Sequence, residues 1–173
     1  MASEALLPAW HDFFVLIGTA AATLIGAMFV VVSIGIGILT RERSVAIHTF
    51  LTATVIHLST VLFGSALTMV PVADARWLAT IAGVAGIAGI GYSGWVIRGF
   101  NQHSNTVLSD RLWYAIFPLI AYTVLVAAAA LGLRSTANGM QLFAAVLAFL
   151  LITGIRNAWD MLVFLVISSR DPT

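Results

Sequence analysis

Apolar stretches, set off by charged or turn-forming residues, divide this chain into five. They cover residues 13–40, 46–70, 76–98, 112–133 and 138–158. A helix needs about 20 mostly apolar residues to cross a bilayer, so each stretch is long enough for one span. None alternates apolar and polar residues with period two, which argues for helices rather than the strands of a barrel. The last stretch continues past Asp160 into an apolar tail, predicted to be helical to residue 168. The pattern predicts an all-α integral membrane protein, a bundle of five transmembrane helices in a single domain over residues 1–173. The links are too short to fold separately. Arg41-Glu42-Arg43-Ser44 joins the first two spans, and Pro71 and Asp74 mark the next link. A polar segment follows over 101–110, with Ser109 or Asp110 predicted to cap the fourth helix. Residues 135–139 are predicted to form the last turn.

Composition supports the membrane class. The chain is 61% hydrophobic and 9% charged, whereas soluble domains carry about 25% charged residues. There is no cysteine, which excludes disulfides, thiolate metal sites and a cysteine nucleophile. All 8 basic residues are arginine; with abundant alanine and glycine, this matches a GC-rich bacterial genome and hence a bacterial inner membrane. A net charge of +1 gives no reason to expect nucleic acid as a partner. Residues 1–12 lack the basic start and short apolar core of a signal peptide, so Met1 is read as the mature start. With the N-terminus outside, Arg41, Arg43, Arg98, Arg111, Arg156 and Arg170 fall on the cytoplasmic side and Arg76 and Arg134 outside. That is the positive-inside bias, and it places the C-terminus in the cytoplasm.

The second span carries the candidate chemistry. Ala53, Thr54, His57, Thr60, Val61, Gly64, Ser65 and Thr68 recur at helical spacing as a small or polar stripe on an apolar rod. An ionisable group at bilayer depth is costly unless it has a use or a partner. Two readings are open. His57 is either a water-facing, titrating imidazole or a buried neutral one, hydrogen-bonded to Thr54, Thr60 or a hydroxyl on another helix.

The first span places Gly18, Ala22 and Gly26, then Ser33 and Gly37, at helical spacing, a pattern expected of close helix packing. Its sequence Trp10-His11-Asp12-Phe13-Phe14, then the Gly/Ala-rich run from Gly18 to Gly26, then Phe29, Val30 and Ser33, resembles a group of small bacterial multi-pass inner-membrane proteins. Some of these are labelled membrane-protease modulators, which implies a regulatory partner rather than chemistry. The likeness covers the first span, and no functional residue carries over from it.

Gly83 and Gly86 lead a third span so rich in small residues that packing is expected on more than one side. Pro118 predicts a kink in the fourth, because it lacks an N–H and crowds the preceding turn. Tyr114 and Tyr122 flank it, either as interfacial anchors or packed against the kink. In the fifth span Thr153, Arg156, Asn157, Asp160 and Ser168 share a face, with Arg156 and Asp160 spaced to pair. That face lies either at the headgroups or inward, on a helix unbroken to residue 168.

His11, His48, His57 and His103 lie at different depths and form no metal cluster, and no cofactor is expected. No nucleophile elbow or metalloprotease helix is present, so no enzyme is expected. The functional expectation is a homo-oligomer in the lipid bilayer forming a pore or ion channel. Thr54, His57, Thr60, Ser65 and Thr68 would line it, with Arg156, Asn157 and Asp160 at its cytoplasmic end. The alternative is a non-conducting regulatory or structural subunit, acting through helix contacts with another membrane protein. A secondary transporter would call for repeats and paired broken spans, which this sequence does not display.

Overall fold

The computed structural model describes residues 6–35, 41–71, 76–101 and 108–170, with side chains over 10–33, 51–71, 76–99, 109 and 111–163. The described residues are all helical apart from short turns, and no strand occurs among them. The helices are α1 (Leu6–Gly35), α2 (Arg41–Leu67), α3 (Arg76–Asn101), α4 (Leu108–Arg111), a π-helical turn (Leu112–Ile116), α5 (Phe117–Gly132) and α6 (Thr136–Arg170).

Four helical segments are long and apolar enough to cross a membrane: Trp10–Ser33, Arg76–Gly99, Leu112–Gly132 and Thr136–Val163. The apolar part of α2, Leu51–Leu67, is shorter. Its hydropathy is diluted by Thr52, Thr54, His57, Ser59 and Thr60. The whole helix has 27 residues, a rise of about 40 Å.

Several ends differ from the apolar pattern. α2 stops at Leu67 rather than 70, and Thr68, Met69 and Val70 close it with i→i−3 bonds. The Thr68 hydroxyl donates to the Ser65 carbonyl at 2.7 Å and so competes with helix continuation. Ser109 and Asp110 do not cap the fourth helix from outside, because α4 already starts at Leu108. The final turn is tighter than 135–139: α6 starts at Thr136, so Gly139 lies inside it. From there α6 runs unbroken past Arg156 and Asp160 to Arg170. Residues 36–40, including Gly37, lie outside the described set.

α3 packs on α5, α5 on α6, α6 on α2 and α2 on α1, which also touches α6. Although joined in sequence, α2 and α3 barely meet. The seams are set by glycines. A Cβ on Gly18 would lie 2.9 Å from the Ser65 Cβ, and one on Gly86 would lie 2.7 Å from Val126 Cγ2. Gly89 lies beneath the Tyr122 ring, and Gly139 lies on the backbone of Gly132. Gly83 meets Ala129 at ordinary contact distance, 3.4 Å.

Ala22 and Gly26 do not join the α1 seam. Both are exposed, and a Cβ on Gly26 would meet nothing within 4 Å. The buried face of α1 runs through Phe14, Ile17, Gly18, Ala21 and Met28. Repeated four-residue steps rotate Ala22 and Gly26 off that face, since 3.6 residues make one turn. The core between the helices is Phe14, Leu58, Val61, Leu125, Leu147 and Leu150 with their neighbours.

Candidate functional site

The polar stripe of α2 faces the interior of its own bundle. Thr54, His57 and Ser65 are buried, as are Ala53 and Val61 beside them, and Thr60 and Thr68 are half-buried. The stripe is met by α5. His57 Nδ1 lies 3.0 Å from the Tyr122 hydroxyl, and Thr60 Oγ1 lies 3.1 Å from the same oxygen.

Counting protons gives this network a direction. The Thr60 hydroxyl donates its one proton to the Ile56 carbonyl at 2.9 Å, so toward Tyr122 it can only accept. Tyr122 then donates to Thr60, and its oxygen accepts from His57 Nδ1–H. The chain is His57 to Tyr122 to Thr60 to Ile56. It selects the neutral tautomer with the proton on Nδ1, leaving Nε2 as a bare acceptor. Nε2 is buried and has no hydrogen-bond partner among the described residues.

A second polar group sits beside the helix break. Pro118 lies just inside α5 and offers no N–H. The chain meets this with the π turn, in which the Phe117 N–H reaches back to the Leu112 carbonyl. In that register the Trp113 carbonyl would need the missing N–H of residue 118. Asn157 of α6, fully buried, supplies its Nδ2 to Trp113 O at 3.4 Å. The Tyr114 hydroxyl returns a bond to the Asn157 carbonyl at 3.2 Å. The proline break and the polar face of α6 are thus one structure, and Thr153 lies buried one turn away, bonded to Phe149 O.

Beyond Asn157 the face opens. Arg156 and Asp160 form an ion pair along α6, their side chains 37% and 33% exposed. The Arg156 guanidinium lies 5.7 Å from the centre of the Trp113 ring. The expected pairing is present, at the rim of the bundle rather than in its interior.

Two residues that carry the site were not legible as such. Tyr122 is buried, not an interfacial anchor, and Tyr114 is buried too. The signal was depth: Tyr122 lies midway along its span, about 15 Å from either end, and a phenol there needs a polar partner. Ser93 of α3 is also buried, its hydroxyl without a hydrogen-bond partner among the described residues.

A cleft of about 450 Å³ lies between α2 and α3, with Thr60 in its wall. Among the described residues, no group of three or more His, Cys, Asp or Glu is placed to hold a metal ion. No protein-family profile, curated protein or solved structure matches this chain.

Proposed function

We propose that this protein is a non-conducting regulatory or structural subunit of a membrane complex, acting through helix contacts with another membrane protein. In this reading the chain crosses a bacterial inner membrane five times, with the N-terminus outside and the C-terminus in the cytoplasm. α2 is the second of these spans, its polar side chains turned inward so that lipid sees the remainder. The fold suits a homo-oligomer whose contacts use outward faces such as that of Ala22 and Gly26.

One observation carries the reading. His57 has no exposed surface and is bonded to Tyr122 of its own bundle. A pore lined by the α2 stripe would need Thr54, His57 and Ser65 to face water, within or between protomers. Here all three are buried, Ser65 against Gly18 of α1 and His57 against Tyr122 of α5. The residues left outward are large and apolar, among them Leu16, Phe29, Phe63, Ile87 and Trp159, as a lipid- or protein-facing surface requires.

Ion flux through purified protein in liposomes tests this across a pH series. The expected result is no flux above that of empty liposomes at any pH. A flux that depends on pH and disappears in His57→Ala, with the fold retained, would restore the pore.

A further inference from the structure

At one end of the bundle the π turn touches both α3 and α6. Its Trp113 fixes the level at which three arginines stand. Ile97 of α3 packs with Trp113 against the same small buried cluster, which includes Val96, Tyr114 and Ala115. Asn157 of α6 reaches the Trp113 carbonyl. Arg98 follows Ile97, Arg156 precedes Asn157, and Arg111 lies two positions before Trp113. With a rise of about 1.5 Å per residue, all three lie within about one helical turn of Trp113 along the bundle.

The three arginines come from separate elements, α3, α4 and α6. Arg98 is exposed, and Arg111 and Arg156 are half-buried. Exposed tryptophans stand one turn away on the same helices, Trp95 before Arg98 and Trp159 after Arg156. Tryptophan favours the boundary between hydrocarbon and water, so these residues mark the headgroup level at this end.

The donor chemistry then selects a ligand. A guanidinium carries five N–H donors in a planar fork that fits phosphate oxygens two at a time. Asp160 engages Arg156 and the Trp113 ring lies against it, but a carboxylate accepts from only part of that fork. The sequence sets three arginines here against two carboxylates, Asp110 and Asp160, so the rim is positive on balance. Basic groups between helices at headgroup depth are matched to anionic lipid headgroups.

We propose that this rim binds the phosphodiester of an anionic phospholipid, held by Arg98, Arg111 and Arg156 around the π turn. The lipid ties the ends of α3 and α6 together across the proline break. The proposal rests on the bundle sitting in a bilayer; it holds in either orientation and whether or not the protein conducts.

The test uses the full chain in mild detergent. Phosphatidylglycerol and phosphatidylcholine with identical acyl chains are offered together, and bound lipid is counted by native mass spectrometry. The expected result is several-fold more phosphatidylglycerol than phosphatidylcholine retained, and a higher melting temperature in its presence. Arg98→Gln, at an exposed side chain that the fold does not need, lowers the excess. The triple variant Arg98→Gln, Arg111→Gln, Arg156→Gln removes it. Asp160→Asn, which takes away a competing carboxylate, raises it and keeps the proposal testable if the triple variant does not fold. Arg134→Gln removes the same charge at the opposite end of the bundle and leaves the excess unchanged. Inorganic phosphate separates the two sources of this chemistry: if it displaces phosphatidylglycerol at millimolar concentration, the rim is a site for free anions and the proposal is overturned. Equal retention of the two lipids overturns it too, as does an equal loss in Arg134→Gln. Retention of neither lipid would remove the membrane reading along with it.

Discussion

The Tyr122 hydroxyl lies within hydrogen-bonding distance of both His57 Nδ1 and Thr60 Oγ1, at 3.0 and 3.1 Å, and so ties α5 to two successive turns of α2. Both contacts converge on one oxygen, which makes it a point where the register of the two helices is set.

Removing that oxygen should therefore be costly for its size. Tyr122→Phe leaves His57 Nδ1–H buried without its acceptor, while Thr60 keeps its bond to Ile56. Interhelical hydrogen bonds in membranes average about 0.6 kcal/mol and reach about 1.7. A loss toward the upper figure is expected, since the group left behind is fully buried. A double-mutant cycle of Tyr122→Phe with His57→Ala, unfolded by SDS in bicelles, should show coupling. Additive losses would mean that the two side chains do not interact.

Asn157 and Pro118 should be coupled through the Trp113 carbonyl. Asn157→Leu strands that carbonyl in the interior, at a cost of about 1–3 kcal/mol. Pro118→Ala restores an N–H that can take over the carbonyl. Asn157→Leu should then destabilise the Pro118→Ala background less than the natural one. Equal losses in the two backgrounds would show that Asn157 does not stand in for the amide that proline lacks.

How much of this could be read from sequence depends on what the signal was. Uncharged length revealed the helices, because a run of that size has few other uses. The stripe on α2 was legible from its spacing, but its direction was not. His57 and its partner lie 65 positions apart, and hydropathy says only that the stripe differs from the other faces. Glycines were harder still. In α3 they surround the helix, so spacing did not single out Gly89, which lies beneath Tyr122. On α1 the same kind of spacing suggested Gly26, which faces outward. The π turn could not be foreseen from Pro118 alone, since a plain kink would also accommodate it.

The glycine seams separate by rigidity of the neighbour. At Gly139 an added methyl would lie 2.6 Å from the Gly132 amide nitrogen, and backbone does not move aside. Gly139→Ala should cost at least about 1–3 kcal/mol by thermal melting in detergent. Gly26→Leu should leave the melting of the protomer unchanged. If Gly26→Leu alone unfolds the protein, the placement of α1 is wrong.

The ion pair on α6 should matter little. With Arg156 and Asp160 each about one-third exposed, an Arg156→Ala, Asp160→Ala cycle is expected to give coupling of about 1 kcal/mol or less. Trp113→Leu should cost Arg156 a further contact of about 0.5–1 kcal/mol. Coupling of several kcal/mol would place the pair in the dry interior instead.

The account turns on a polar stripe sealed within each protomer, and thiol accessibility reads that most directly. Ser65→Cys and Val61→Cys place single thiols on the buried face of α2, and Asn138→Cys places one at the exposed start of α6. A charged, membrane-impermeant thiol reagent is applied to both sides of reconstituted vesicles. The sealed bundle predicts rapid modification at position 138 and none at 61 or 65 until the protein is denatured. Modification of Ser65→Cys in the folded protein at a rate near that of Asn138→Cys would mean that water reaches the stripe, and would contradict the account.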